Sequence, residues 1–206
     1  MFDSIFRRSI ILAISLFIAA CGGGGSDSGG EQAATDPAAI RSVVAIGDSI
    51  GTGFGIATPW PELLGGAIGR TVVNNSVSGE QTGFGVASIE RLIDANNPSH
   101  VFILLGTNDA IRGSVPNAVS NLQTMVDFAR ARNVVPIVGT IPPITNSASQ
   151  NSRAAQISQG IRGLNNAVVA EVRGALGNGS STIADGIHPN QNGQQIITNT
   201  FAAVFQ

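Results

Sequence analysis

The stretch Val43-Val44-Ala45-Ile46-Gly47-Asp48-Ser49-Ile50-Gly51 decides the reading of this chain. Its apolar residues run without polar alternation, as in a strand covered on both faces. The glycines that close it permit a tight turn that sets a serine hydroxyl at the strand's end. Three further runs have the same character: Thr71 to Val73, His100 to Leu105 and Val134 to Val138, each bounded by glycine, proline or asparagine. Between them, helical patterns are expected at Trp60 to Ile68, Val86 to Ile93 and Val119 to Ala129. A stripe at Ile157, Ile161, Leu164, Val168, Val172 and Leu176, spaced by threes and fours, predicts another helix. A last one is expected from about Gln191 to Val204, with Ile196, Ile197, Phe201 and Val204 on its buried face. Strands that alternate with crossover helices give a parallel sheet with helices on both sides, and in such sheets function sits at the carboxyl ends of the strands.

Composition agrees with one α/β core and narrows the chemistry. Of 206 residues, 43% are hydrophobic and 12% charged, which excludes a disordered or collagen-like chain. The 11 basic residues are all arginine and stand against 13 acids, a formal charge of -2, so no basic face is implied and nucleic-acid binding is not expected. A single cysteine rules out an internal disulfide and a cysteine zinc cage. With His100 and His188 as the only histidines, no metal is expected. Gly51-Thr52-Gly53-Phe54-Gly55 follows a strand, yet it lacks the spacing of a dinucleotide loop and its acidic partner, so no cofactor is expected either.

The N-terminal residues read as an address. Arg7 and Arg8 precede an apolar stretch from Ser9 to Ala20, as in a secretory signal, and that stretch is too short to span a membrane, which needs about twenty apolar residues. Ile18-Ala19-Ala20-Cys21 resembles the lipobox of bacterial lipoproteins, in which cleavage leaves a lipid-bearing, palmitoylated cysteine as the new N-terminus. The alternative is a plain signal peptide with small residues at its cut site. Residues 1–20 are thus expected to be a lipoprotein signal peptide and 21–39 a lipidated cysteine with a Gly/Ser-rich tether. Such a tether has a mean reach on the order of 25 Å. The folded domain is expected over 40–206, as an exported monomer held to the membrane of a bacterial envelope, at the outer membrane or in the periplasm, through its lipid.

Four strand ends carry unusual residues. The first places Ser49 at the mouth of the sheet, where a nucleophile fits. After the second comes Asn74-Asn75-Ser76-Val77-Ser78-Gly79-Glu80, whose Gly79 lets a backbone N–H approach a ligand unobstructed. The third ends at Gly106-Thr107-Asn108-Asp109, with an amide side chain in the same mouth. Both are suitable oxyanion donors. Near the C-terminus, Asp185-Gly186-Ile187-His188-Pro189-Asn190 sets a carboxylate three residues from an imidazole, close enough to accept from one ring nitrogen and leave the other free as a base. Asp48 and Asp109 read as loop-fixing acceptors and His100 as a boundary residue at the far end of the sheet. Gly139 to Thr145 and the loop around Phe54 and Ile56 are apolar; they either line an acyl pocket or are ordinary rigid loops.

In this order the blocks Gly47-Asp48-Ser49-Ile50, Gly79, Gly106-Thr107-Asn108-Asp109 and Asp185-Gly186-Ile187-His188-Pro189 closely resemble those of the SGNH hydrolases, also called the GDSL family. Pro59 to Leu64, Val72 to Glu80 and Asp185 to Asn190 look most like its bacterial arylesterase, lysophospholipase and acyl thioesterase branch. The resemblance implies a flavodoxin-like three-layer α/β/α sandwich with a parallel sheet of about five strands. It also implies a serine esterase acting on a small-molecule or lipid acyl ester: Ser49 as nucleophile, His188 as general base and then acid, and Asp185 orienting His188. The backbone N–H groups of Ser49 and Gly79, with the amide of Asn108, would form the oxyanion hole. The chain has Thr107 where a second glycine is frequent in the family. Alternatives that remain open are a carbohydrate deacetylase or an acyl thioesterase of the same family, and a lipid-anchored binding protein without turnover.

Overall fold

A computed structural model describes residues 41–55 and 58–206. The expected signal segment, the lipidation at Cys21, the tether to residue 39, and Ile56 lie outside the described residues. The first strand, β1 (Val43–Gly47), leads into the short helix α1 (Ser49–Thr52), followed by α2 (Trp60–Ile68), β2 (Val72–Asn74), α3 (Thr82–Asn96) and β3 (His100–Leu104). Next come α4 (Thr107–Arg112), α5 (Val115–Ala131), β4 (Val135–Gly139) and α6 (Ala148–Arg162). The chain closes with β5 (Val168–Ala170), α7 (Val172–Leu176) and α8 (Gln191–Val204).

All pairings are parallel, and the strand order is β2-β1-β3-β4-β5. Because successive side chains of a strand point to opposite faces, each central strand feeds two cores. Val44, Ile46, Val101, Ile103 and Val138 pack with α3, α5 and α6 through Ile89, Leu122, Met125 and Ile157. On the other face Val43, Ala45, Phe102, Leu104 and Ile137 meet Trp60 and Leu64 of α2, Val172 of α7 and Phe201 of α8. The Trp60 and Phe201 rings lie 4.7 Å apart at the middle of that layer. Pro136 is tolerated inside β4 because the Val135 N–H points to β3, so Pro136 faces the β5 side, where pairing begins only at Ile137.

The stripe from Ile157 to Leu176 is not one helix. Its first residues belong to α6, which stops at Arg162, and Asn166 then takes a left-handed conformation with φ 61° that ends any helical run. Val168 pairs with Ile137 as the start of β5, and Val172 and Leu176 lie on α7. A spacing of threes and fours survives by coincidence across a helix, a strand and a helix. The other helices hold, with α3 and α5 longer than their apolar patterns. The Thr107-Asn108-Asp109 block is the first turn of α4 rather than a strand end. On α8, Ile197 and Phe201 are buried, whereas Ile196 and Val204 are only partly so.

Order β2-β1-β3-β4-β5 has its reversal between β1 and β3, since the chain goes from β1 to one side and from β3 to the other. Beyond the carboxyl ends of those two strands a doubly wound sheet opens a crevice. Ser49 follows β1 and Asn108 follows β3, so both stand at that crevice.

Candidate active site

The turn after β1 is built by Asp48. Its Oδ1 accepts the Ile50 N–H at 2.9 Å and thereby caps α1, which leaves the half-buried Ser49 at the first helical position. Asp48 is fully buried, and that burial pushes its carboxyl up to about 6 against the lowering pull of the Ile50 N–H. Its other oxygen lies 3.5 Å from the Asn108 amide nitrogen. This is the loop-fixing role read from sequence.

The loop after α7 delivers the histidine. The Ala184 N–H donates to the His188 C=O at 2.8 Å and the Asn190 N–H to the Thr182 C=O at 2.9 Å, which closes a narrow hairpin. Asp185 sits at its tip. Oδ1 accepts the N–H groups of Ile187 and His188 at 3.0 and 2.8 Å, fixing the turn, while Oδ2 lies 2.7 Å from His188 Nδ1. Gly186 has φ 95°, and a Cβ there would stand 2.5 Å from the Asn146 side chain, so only glycine fits. Asn190 then caps α8 by accepting the Gly193 N–H at 2.9 Å.

The two turns meet. His188 Nε2 is 2.9 Å from Ser49 Oγ, across 139 residues of sequence. Desolvation pushes the Asp185 carboxyl up, but the His188 N–H, the His188 ring and the Ile187 N–H outweigh it and bring the group down to about 2. Ionised, Asp185 can only accept, so the Nδ1 proton belongs to His188 and its Nε2 is left to accept from the Ser49 hydroxyl. Ser49, His188 and Asp185 therefore form one hydrogen-bonded chain from hydroxyl to carboxylate.

The two side donors read from sequence share one support. Asn108, on the first turn of α4, donates its amide to the Glu80 C=O at 2.9 Å. At the far end of α4, Arg112 donates to the Gly79 C=O at 3.2 Å and to Gln81 Oε1 at 2.8 Å. Asp109 accepts the Thr82 N–H at 3.0 Å and its hydroxyl at 2.8 Å. One short helix thus grips the whole loop from Gly79 to Thr82. Gly79 is exposed, with φ 82°, a conformation that other residues adopt only under strain. Across the site the hydroxyls of Thr52 and Ser78 lie 2.9 Å apart and tie the Ser49 turn to the Gly79 loop.

Several of these supports were not read from the sequence. Arg112 gave no signal, being one of several arginines. Gln194 did: a polar residue on the apolar stripe of α8, it is buried and bonds to the Ser49 turn. The stretch Gly139 to Thr145 resolves toward the rigid reading, because Ile141, Pro142, Pro143 and Ile144 are buried and both isoleucines belong to the core. Phe54 is exposed, with its ring centroid 4.5 Å from that of His188. His100 opens β3 at the other end of the sheet and packs on Phe205 at 4.6 Å. Among the described residues no group of three or more histidine, cysteine or acidic side chains is placed to hold a metal.

A family model described as GDSL-like lipase/acylhydrolase matches residues 45–196. An arylesterase of Vibrio mimicus is 37% identical over 115 residues, covering 51% of this chain and 58% of its own length. A thioesterase 1/protease 1/lysophospholipase L1 of Escherichia coli K12 is 30% identical over 106 residues, covering 49% and 51%. The chain thus spans little more than half the length of these curated relatives. In fold it is similar to the crystal structure of a lipolytic protein G-D-S-L family member from Veillonella parvula. The TM-score is 0.72 at 20% identity, over 81% of this chain and 98% of that one.

Proposed function

This chain belongs to the GDSL-like lipase/acylhydrolase family, and from that premise and the site geometry we propose that it is a serine esterase that hydrolyses carboxylic esters, aryl esters or lysophospholipids among them. The observation that carries the reading is the unbroken chain from Ser49 Oγ through both ring nitrogens of His188 to Asp185, at 2.9 and 2.7 Å. Such a chain serves proton removal from a hydroxyl.

In the proposed reaction His188 Nε2 takes the Ser49 proton as Oγ bonds to the ester carbonyl carbon. The charge that develops on the carbonyl oxygen is held by the N–H groups of Ser49 and Gly79 and by the Asn108 amide. The carbon–alcohol bond breaks, and His188 returns its proton to the departing alcohol oxygen. Water then repeats the sequence on the acyl-enzyme, losing its proton to His188, and the acid and the free serine hydroxyl are regenerated. Asp185 keeps the Nδ1 proton in place throughout. Nothing in this scheme asks for a cofactor.

We include in the proposal an N-terminal lipid at Cys21, which would hold the domain near membrane acyl esters; its support is the sequence pattern of residues 1–39. The test of the enzymatic reading is labelling of Ser49 by a fluorophosphonate together with turnover of phenyl acetate, both lost in Ser49→Ala while the folded spectrum is kept. Near-normal hydrolysis by that variant, or an unlabelled wild type without turnover, would overturn it. A preference for acetylated sugars or for thioesters would move the substrate within the family and leave the chemistry intact.

A further inference from the structure

Among the described residues two large apolar side chains stand exposed, Phe54 at 57% and Val77 at 41%, and both lie on loops beside Ser49. Phe54 is held there by its backbone. Its N–H donates to the Ser49 C=O at 3.2 Å, and Gly53 and Gly55 on either side take φ 74° and 73°. The loop turns the ring toward His188, with centroids 4.5 Å apart and planes tilted by 31°, and leaves much of it in water. An aromatic ring kept half in water against one reacting group is an arrangement that gains apolar contact once another molecule arrives.

Chemistry tells which part of that molecule it meets. In the reaction proposed above, the carbonyl carbon bonds to Ser49 Oγ and its oxygen turns to the N–H donors. The alcohol oxygen must come within hydrogen-bond reach of His188 Nε2 to take the proton. A ring packed on the His188 imidazole therefore borders whatever that alcohol oxygen carries. The acyl chain is the one substituent that His188 never has to approach.

We propose that Phe54 reads the alcohol part of the ester and favours aromatic alcohols over aliphatic ones of similar size. This rests on the esterase reading. Phe54 is a specificity residue here: it touches the leaving group and moves no proton. An aromatic alcohol can pair with the ring in an offset or edge-to-face manner, a gain beyond plain burial that a saturated ring cannot match.

The experiment measures kcat/KM, which reports the step in which the alcohol leaves, for phenyl acetate and cyclohexyl acetate. Phenyl octanoate is added to vary the acyl part alone. The proteins are the wild type, Phe54→Leu and Phe54→Ala, with Ser49→Ala as the blank. Because Phe54 is exposed, Phe54→Leu is expected to keep its melting temperature, which is checked alongside. In both variants the phenyl acetate value should fall about five- to tenfold further than the cyclohexyl acetate value. The losses on phenyl acetate and phenyl octanoate should be equal. An equal loss on phenyl and cyclohexyl acetate would mean that Phe54 only supports His188. A loss that deepens with acyl length would place it in the acyl site. Either result overturns the assignment while wild-type turnover, abolished in Ser49→Ala, keeps the esterase reading standing; a wild type without turnover overturns both.

Discussion

Replacing Gln194 by methionine should loosen the site from behind. Gln194 lies on α8 at 1% exposure. Its Oε1 accepts the Trp60 N–H at 2.9 Å, standing in for the cap that Pro59 cannot provide at the start of α2. Its Nε2 donates to the Ile50 C=O at 3.1 Å, one residue beyond Ser49. A single amide therefore ties the Ser49 turn and α2 to the helix that follows the His188 loop. Methionine keeps the volume, so packing changes little, but a buried N–H and a buried C=O lose their partners. Each such loss costs about 1–3 kcal/mol, so about 2–4 kcal/mol is expected after relaxation. For a domain of this size that is a fall of roughly 5–15 °C in melting temperature. Well below that temperature kcat on phenyl acetate should fall too, by up to about a hundredfold if Ser49 Oγ shifts by an ångström from His188. Thermal unfolding by circular dichroism and steady-state kinetics at 20 °C or so read the two effects. A variant that melts within about 2 °C of wild type with unchanged kcat would refute the idea that this amide holds the two turns together.

Asn108→Ala is expected to lower kcat by roughly a hundred- to a thousandfold, or about 3–4 kcal/mol of barrier, with little change in KM; a loss confined to KM would make Asn108 a binding residue only. Asp48 gives a pH test. Its folded carboxyl lies at about 6 against 3.8 for the free group, so the folded state holds that proton more tightly than the unfolded chain. Its contribution to stability is complete at low pH and is lost as pH rises from about 4 through 6. Asp48→Asn lacks that loss, so its stability in urea relative to wild type should improve by about 2 kcal/mol between pH 4 and 7, and a difference independent of pH would exclude the buried carboxyl as its source. Asp185, brought down to about 2, adds stability that is present above about 4 and fades only as pH falls toward 2, so the stability advantage of wild type over Asp185→Asn should hold steady above about pH 4 and shrink as pH falls below it. A stability difference that stays constant through that acid range would exclude the ionised carboxylate as its source.

Much of the architecture can be read from short windows, because what decides it is local. Val43 to Ile46 and His100 to Leu105 are continuous apolar runs, and only a strand buried on both faces needs them. Asp185 and His188 are three residues apart, so the turn that joins them is written in a few adjacent residues. Asn190 before the α8 stripe marks a helix start in the same way. β5 escaped because it is three residues long and its valines fall in phase with the stripe of α6; only pairing with β4 makes Val168 a strand residue. The role of Gln194 escaped for a related reason, since a polar residue on an apolar face signals a partner without saying where that partner is.

Local patterns suffice for four of the five strands, for most of the longer helices, for the hydroxyl that follows β1 and for the pairing of a carboxylate with the histidine. The tertiary structure alone decided the strand order that puts β1 beside β3 at the crevice, the approach of His188 to Ser49 across 139 residues, the grip of α4 on the Gly79 loop and the aromatic ring on the imidazole. The physical reason is reach. Backbone preference and periodicity act over a few residues, whereas pairing order and the direction of a side chain are set by contacts between parts of the chain that meet only after it has folded.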